Sequence, residues 1–169
     1  MAGKGKDMNP RNLYTRIIPS PLGPLTLTAT DKGLFRIVLP RKDSPQEPPS
    51  EETPFFPFPE ALSAIQGYLA GKTRRLQLPL DLRGTHFQKT IWTALTAIPY
   101  GETRTYGEIA RGVGRPRASR AVGQACGANP LPLVIPCHRV LGKTGFGGFY
   151  SGLDHKKWLL RLEKKDPER

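Results

Sequence analysis

Between residues 117 and 127 the chain carries a predicted helix with almost nothing on it. Arg117-Ala118-Ser119-Arg120-Ala121-Val122-Gly123-Gln124-Ala125 is dominated by very small side chains. A helix so bare can approach another surface closely, whether a neighbouring helix or a narrow groove. The residues before it read as its partner. Thr105 can cap a helix through Ile109, Ala110 and Val113, with Glu108 three residues on completing a capping box, and Gly114 to Pro116 then turn the chain. Two short helices joined by a glycine-containing turn predict a helix-turn-helix. Recognition helices read base edges with long polar side chains, and this one offers mainly Arg120. On DNA it would therefore bind with little sequence preference. Tight packing against a neighbouring helix, with Arg120 left in solvent, is the alternative of equal weight.

Upstream the pattern changes. Residues 13–18, 25–30 and 34–39 alternate as strands, separated by Pro21-Leu22-Gly23-Pro24 and Asp31-Lys32-Gly33. Residues 40–59 hold seven prolines and predict an irregular surface connection. Leu62, Ile65 and Leu69 fall at helical spacing over 60–70, Gly71 ends that helix, and 76–82 predict a returning strand. This half shows no paired carboxylates, phosphate loop or metal cluster, and reads as a scaffold. A composition shift at Arg83-Gly84 marks a boundary. It divides an N-terminal α/β unit, 1–82, with a flexible tail over 1–11, from a C-terminal unit, 83–169. The second unit opens with a helix capped by Thr85 that carries Phe87, Ile91, Leu95 and Ile98 on one face.

Charge separates the halves too. Residues 1–82 hold 11 Lys/Arg against 8 Asp/Glu, and 83–169 hold 15 against 6, so most of the +12 lies in the second half. That is the footprint expected for a polyanion partner. No apolar run approaches the length of a membrane-spanning helix, and the charged start lacks a signal-peptide core. A reducing cytoplasm is the expected compartment.

The chemistry gathers at Ile135-Pro136-Cys137-His138-Arg139-Val140. Cys137 is one of two cysteines, and adjacent basic groups favour the nucleophilic thiolate. A buried cysteine acting as a small hydrophobe is the bland reading. A zinc site lacks any paired Cys or His spacing. A Cys126–Cys137 disulfide does not suit a cytoplasmic chain.

Together these residues resemble the O6-alkylguanine-DNA alkyltransferase (methylated-DNA–protein-cysteine methyltransferase) family. The resemblance spans roughly 87 to 163. It is carried by Ile98-Pro99-Tyr100-Gly101-Glu102-Thr103, Tyr106, Ser119-Arg120-Ala121-Val122-Gly123, Asn129-Pro130, the Pro-Cys-His-Arg-Val core and Tyr150-Ser151-Gly152. It implies an α+β/α/β chain with a small ribonuclease-H-like domain followed by a winged-helix-like DNA-binding domain. It implies one irreversible transfer of an alkyl group from O6-alkylguanine in double-stranded DNA to Cys137, with O4-alkylthymine an open second substrate. No cofactor is implied. Some members carry a structural zinc in the N-terminal domain, but this half has no cysteine, so no metal is expected.

The resemblance also implies roles. Cys137 is the nucleophile, His138 its base through a bridging water, and Glu163 the carboxylate that orients the histidine. Tyr106 supplies a proton to the departing guanine, and Asn129 ties the recognition helix to the Cys137 segment. The backbone of Cys137, Val140 and Ser151, with Tyr150 and Gly152 alongside, holds the base, and Cys126 forms a small pocket wall. Arg120 enters the minor groove to replace a flipped base, and Ser119, Ala121, Gly123, Arg117 and Arg115 lie on the DNA side. The expected protein is a monomer, with cooperativity on DNA left open. The competing readings are a non-catalytic sensor of alkylated DNA, a cysteine hydrolase and a plain transcriptional regulator. The sensor lacks a reactive cysteine, the hydrolase would turn over, and the regulator leaves Cys137-His138 unexplained.

Overall fold

A computed structural model describes residues 12–43 and 52–164. The expected tail and residues 44–51 of the proline-rich connection lie outside the described residues. The first half builds an antiparallel sheet in the order β1 (Tyr14–Ile18), β2 (Leu25–Thr30), β3 (Gly33–Val38), followed by helix α1 (Pro59–Leu69). Alternation works as expected in β2, where Leu25, Leu27 and Ala29 are buried between half-exposed threonines. Ile65, Tyr68 and Leu69 of α1 are buried in the same core as these strand residues.

The predicted strand over 76–82 does not form. Only Leu80 bridges to Leu34, with Leu34 N donating to Pro79 O and Asp81 N donating to Leu34 O, each 2.8 Å. Pro79 has no N–H to continue a ladder. The same edge of β3 also reaches the second half, where Ile37 N donates to Pro130 O at 2.8 Å. The sheet is therefore hydrogen-bonded to the stretch that leads into Cys137.

In the second half α2 (His86–Thr96) and α3 (Tyr106–Gly112) start at Thr85 and Thr105, and both capping boxes are present. Ile98, expected on the face of α2, lies beyond its end but is buried. Helix α4 begins at Ser119 rather than Arg117 and runs to Gly127. It packs through Val122 and Ala125, and Trp92 of α2 donates its indole N–H to Ala125 O at 2.8 Å.

A two-residue parallel pairing was not legible in the sequence. Arg104–Thr105 (β4) pairs with Val140–Leu141 (β5). Because β4 runs directly into α3, this pairing sets Tyr106 beside the Cys137 segment. Cys137–Arg139 is a 3-10 turn. A C-terminal helix, α5 (Leu153–Lys164), closes the unit. Removing the cap with Thr105→Ala should cost about 1 kcal/mol, read by urea denaturation. It should also loosen Tyr106, the first residue of α3.

Candidate active site

The approach to Cys137 is built under strain. Residues 131–140 are all buried, and Leu133 holds φ at +77°, a left-handed conformation rare for a branched side chain. Asn129 stabilises this stretch from the end of α4. Its Nδ2 donates to Ile135 O at 2.8 Å and its Oδ1 accepts from Leu131 N at 2.9 Å. The Cys137 thiol emerges 8% exposed onto a cavity of about 310 Å³. Gly123, Cys126 and Gly127 of α4 form one wall, Gly148, Phe149 and Tyr150 another, with Tyr106, Asn129 and Pro132 completing much of the lining. The bareness of α4 thus serves packing and cavity together: Val122 and Ala125 pack, and the smallest residues leave space.

Behind the thiol lies a buried charged cluster. His138 and Glu163 are fully buried and Arg139 nearly so. His138 Nε2 lies 2.7 Å from Glu163 Oε1, and Arg139 donates from Nη2 to Oε1 at 2.9 Å and from Nε to Oε2 at 3.0 Å. Gly101 N donates to Oε2 at 3.0 Å. Tyr68, from the half read as a bare scaffold, donates its hydroxyl to Oε1 at 2.5 Å and sits 3.2 Å from His138 Nε2. Sequence reasoning missed Tyr68, because nothing marks one tyrosine of an amphipathic helix as polar-facing.

Burial alone would raise the Glu163 carboxyl, but the hydrogen bonds from His138 and Arg139 and the positive charge of Arg139 hold it well below the ordinary carboxylate range. An ionised carboxylate only accepts hydrogen bonds, so His138 Nε2 carries the proton. Burial pushes the His138 pKa below 6.5 despite Glu163, so the ring is neutral at pH 7. Its Nδ1 then bears the lone pair, and it is buried without a hydrogen-bond partner among the described residues.

The basic neighbourhood does not make Cys137 a resting thiolate. Burial pushes its pKa up and outweighs the opposing pull of Asn129 and Lys156. Cys126, in the cavity wall, is pushed up to about 12, by burial first and then by Cys137. Burial likewise raises the Tyr106 phenol, keeping it protonated. Tyr106 is pressed against the loop: a Cβ on Gly147 (φ +71°) would meet its hydroxyl at 2.7 Å.

The rest of the expected base-binding set divides. Tyr150 lines the cavity and donates to Leu39 O at 3.3 Å. Ser151 and Gly152 line an adjoining depression, and the Ser151 hydroxyl meets His155 Nδ1 at 3.0 Å. The Val140 carbonyl, expected to accept from the guanine amine, already accepts from Lys156 Nζ at 2.6 Å, and the same ammonium reaches Gly148 O at 2.9 Å. Lys156 is fully buried and went unread in the sequence. Arg115, Arg117, Ser119 and Arg120 are exposed around the start of α4, Ala121 is half-buried, and Gly123 faces the cavity. No three His, Cys, Asp or Glu gather as a metal site among the described residues. Arg139→Met leaves the Glu163 charge buried without its main counter-ion. It should cost about 3–5 kcal/mol in urea denaturation.

Known proteins resemble this chain in sequence and fold. Residues 13–82 match the 6-O-methylguanine DNA methyltransferase ribonuclease-like domain, and residues 86–165 match the DNA-binding domain of the same family. A methylated-DNA–protein-cysteine methyltransferase of Methanosarcina acetivorans is 44% identical over 89% of this chain and 98% of its own. That of Mycobacterium bovis is 44% identical over 90% and 93%. The crystal structure of the Mycobacterium tuberculosis O6-methylguanine methyltransferase superposes with TM-score 0.80 at 40% identity, covering 94% of this chain and 97% of that one. The Mycobacterium tuberculosis protein OGT in complex with DNA gives 0.76 at 42%, covering 89% and 92%. With both domains present in order, the chain belongs to the 6-O-methylguanine DNA methyltransferase family.

Proposed function

We propose that this protein repairs DNA by direct reversal, taking the alkyl group of O6-alkylguanine onto Cys137 once and irreversibly. One observation carries the reading: a buried cysteine opens on a cavity of about 310 Å³, next in sequence to a buried histidine whose Nδ1 has no hydrogen-bond partner among the described residues. That volume falls in the size class of small-molecule sites, and a purine in a duplex reaches such a pocket only by leaving the stack. The methylated-DNA–protein-cysteine methyltransferases that resemble this chain support the same reaction. The two halves, 1–82 and 83–169, act as a supporting domain and a DNA-binding, alkyl-transfer domain.

The steps follow from proton balance. Cys137 gives its proton through a water to His138 Nδ1, and Glu163 stabilises the imidazolium that forms. The thiolate attacks the alkyl carbon, the carbon–O6 bond breaks, and the electron pair passes to the guanine. Tyr106, kept protonated by burial, donates to the guanine N3. Sγ is left as a thioether. With Cys126 a high-pKa thiol in the wall, no described residue lining the cavity is suited to removing the alkyl group. Asn129 holds the Cys137 segment to α4, while Tyr150, Ser151, Gly152 and Val140 frame the base. Lys156 fixes the carbonyls of Val140 and Gly148.

DNA is the partner. Arg120, exposed on α4, would enter the minor groove behind the flipped base, and the exposed Arg115, Arg117 and Ser119 would meet phosphates. Among the described residues no helix is long and apolar enough to cross a membrane. The non-catalytic sensor is disfavoured by the presence of Cys137 at the cavity floor.

Incubation with a duplex bearing one O6-methylguanine should add a single methyl, mapped to Cys137 and saturating at one per protein. Cys137→Ser should show none. Lesion binding without mass gain would favour the sensor, and no lesion preference would reject the reading. Tyr106→Phe should slow single-turnover transfer on the order of 10²-fold. The base must be neutral to accept a proton, and its pKa is lowered. The rate should therefore persist as pH falls through 6.5 and decline only below it, measured as a pH–rate profile on O6-methylguanine duplex.

A further inference from the structure

We infer that Tyr68 is a positioning residue of the transfer reaction, through which the N-terminal domain sets the proton affinity and aim of His138. This rests on the reading of His138 as the base for Cys137. Tyr68 lies one residue before the end of α1 and is 1% exposed. Its hydroxyl touches both members of the proposed relay, Glu163 Oε1 at 2.5 Å and His138 Nε2 at 3.2 Å. Its ring is held edge-on to Tyr100, with centroids 6.1 Å apart. Glu163 Oε1 thus accepts from Tyr68, His138 and Arg139 together. Among the described residues, Tyr68 is the sole hydrogen-bonding contribution to Glu163 from the first half of the chain.

Two consequences follow from hydrogen-bond accounting. The Tyr68 proton goes to Glu163, which leaves the phenol oxygen only as an acceptor toward Nε2–H. Both neighbours of Nε2 are then acceptors, and the tautomer with Nδ1 free is selected twice over. Secondly, a carboxylate that shares its charge with a phenol donor is a weaker acceptor for His138. Tyr68 thereby restrains the basicity that Glu163 would otherwise confer, and keeps the imidazole neutral where a base is needed. The charged and titratable groups that act on His138 are Tyr68 of α1, Arg139 of the 3-10 turn, and Glu163 and Lys156 of α5.

Tyr68→Phe keeps the ring and removes the hydroxyl. The full-length variant should transfer methyl from O6-methylguanine duplex about tenfold more slowly in single turnover. That is well short of the ~10²–10⁴-fold of general-base catalysis itself. The acid limb of its pH–rate profile should move to higher pH, because the freed carboxylate favours the imidazolium. In a Glu163→Gln background the same change should have little further effect. If Tyr68→Phe is poorly folded, 3-fluorotyrosine at position 68 preserves packing and strengthens donation, and should move the limb to lower pH. An unshifted limb with wild-type rate, or a Tyr68→Phe effect that simply multiplies that of Glu163→Gln, overturns the proposal while leaving the relay intact. A Glu163→Gln variant as fast as wild type overturns the relay, and this proposal with it.

Discussion

One buried anion organises this site. Glu163 is removed from water on α5, and an isolated carboxylate there would be far too costly to keep ionised. It stays ionised because donors converge from separate parts of the chain: Arg139 and His138 from the 3-10 turn, Gly101 from the turn before β4, and Tyr68 from α1. Each contributor is fixed in turn. Arg139 also donates to Ile98 O at 2.6 Å, which ties the cluster to the end of α2. The catalytic consequence is indirect but strict. A carboxylate that only accepts hydrogen bonds forces the His138 proton onto Nε2 and leaves the Nδ1 lone pair free.

A second buried ion supports the other side of the cavity. Lys156 precedes Glu163 by seven residues on α5, so the two project from one helical face two turns apart. Lys156 holds the Val140 and Gly148 carbonyls, and its ammonium sits 6.0 Å from the Tyr106 ring centroid. One helix thus places a cation against the Val140 and Gly148 carbonyls and an anion against His138. Burial lowers the Lys156 pKa and raises those of Cys137 and Cys126. The resting cavity therefore favours neutral sulfur.

Legibility tracked locality. The helix cap at Thr85, the capping box at Thr105, the three strands of the first half and the pair of helices joined by a glycine-containing turn follow from short-range pattern, and all appear. Cys137 and His138 stood out by composition, and Asn129, Tyr106 and Glu163 by resemblance. What escaped depends on contacts across the chain. Helix α5 hides because its inner face carries Lys156 and Glu163 where periodicity looks for apolar residues. The β4–β5 pairing is two residues long, too short to leave a pattern. The strand expected over 76–82 failed because alternation ignored what Pro79 does to a ladder. Nothing in the sequence links Tyr68 or Arg139 to Glu163, and only the fold brings their polar atoms to it.

The most direct test of this account is the tautomer of His138 in the unmodified protein, read by ¹⁵N NMR of the imidazole ring across a pH titration. The account predicts a neutral ring at pH 7, protonated at Nε2 and bare at Nδ1, that takes up its second proton only below pH 6.5. A ring protonated at Nδ1, or an imidazolium persisting at pH 7, would contradict it.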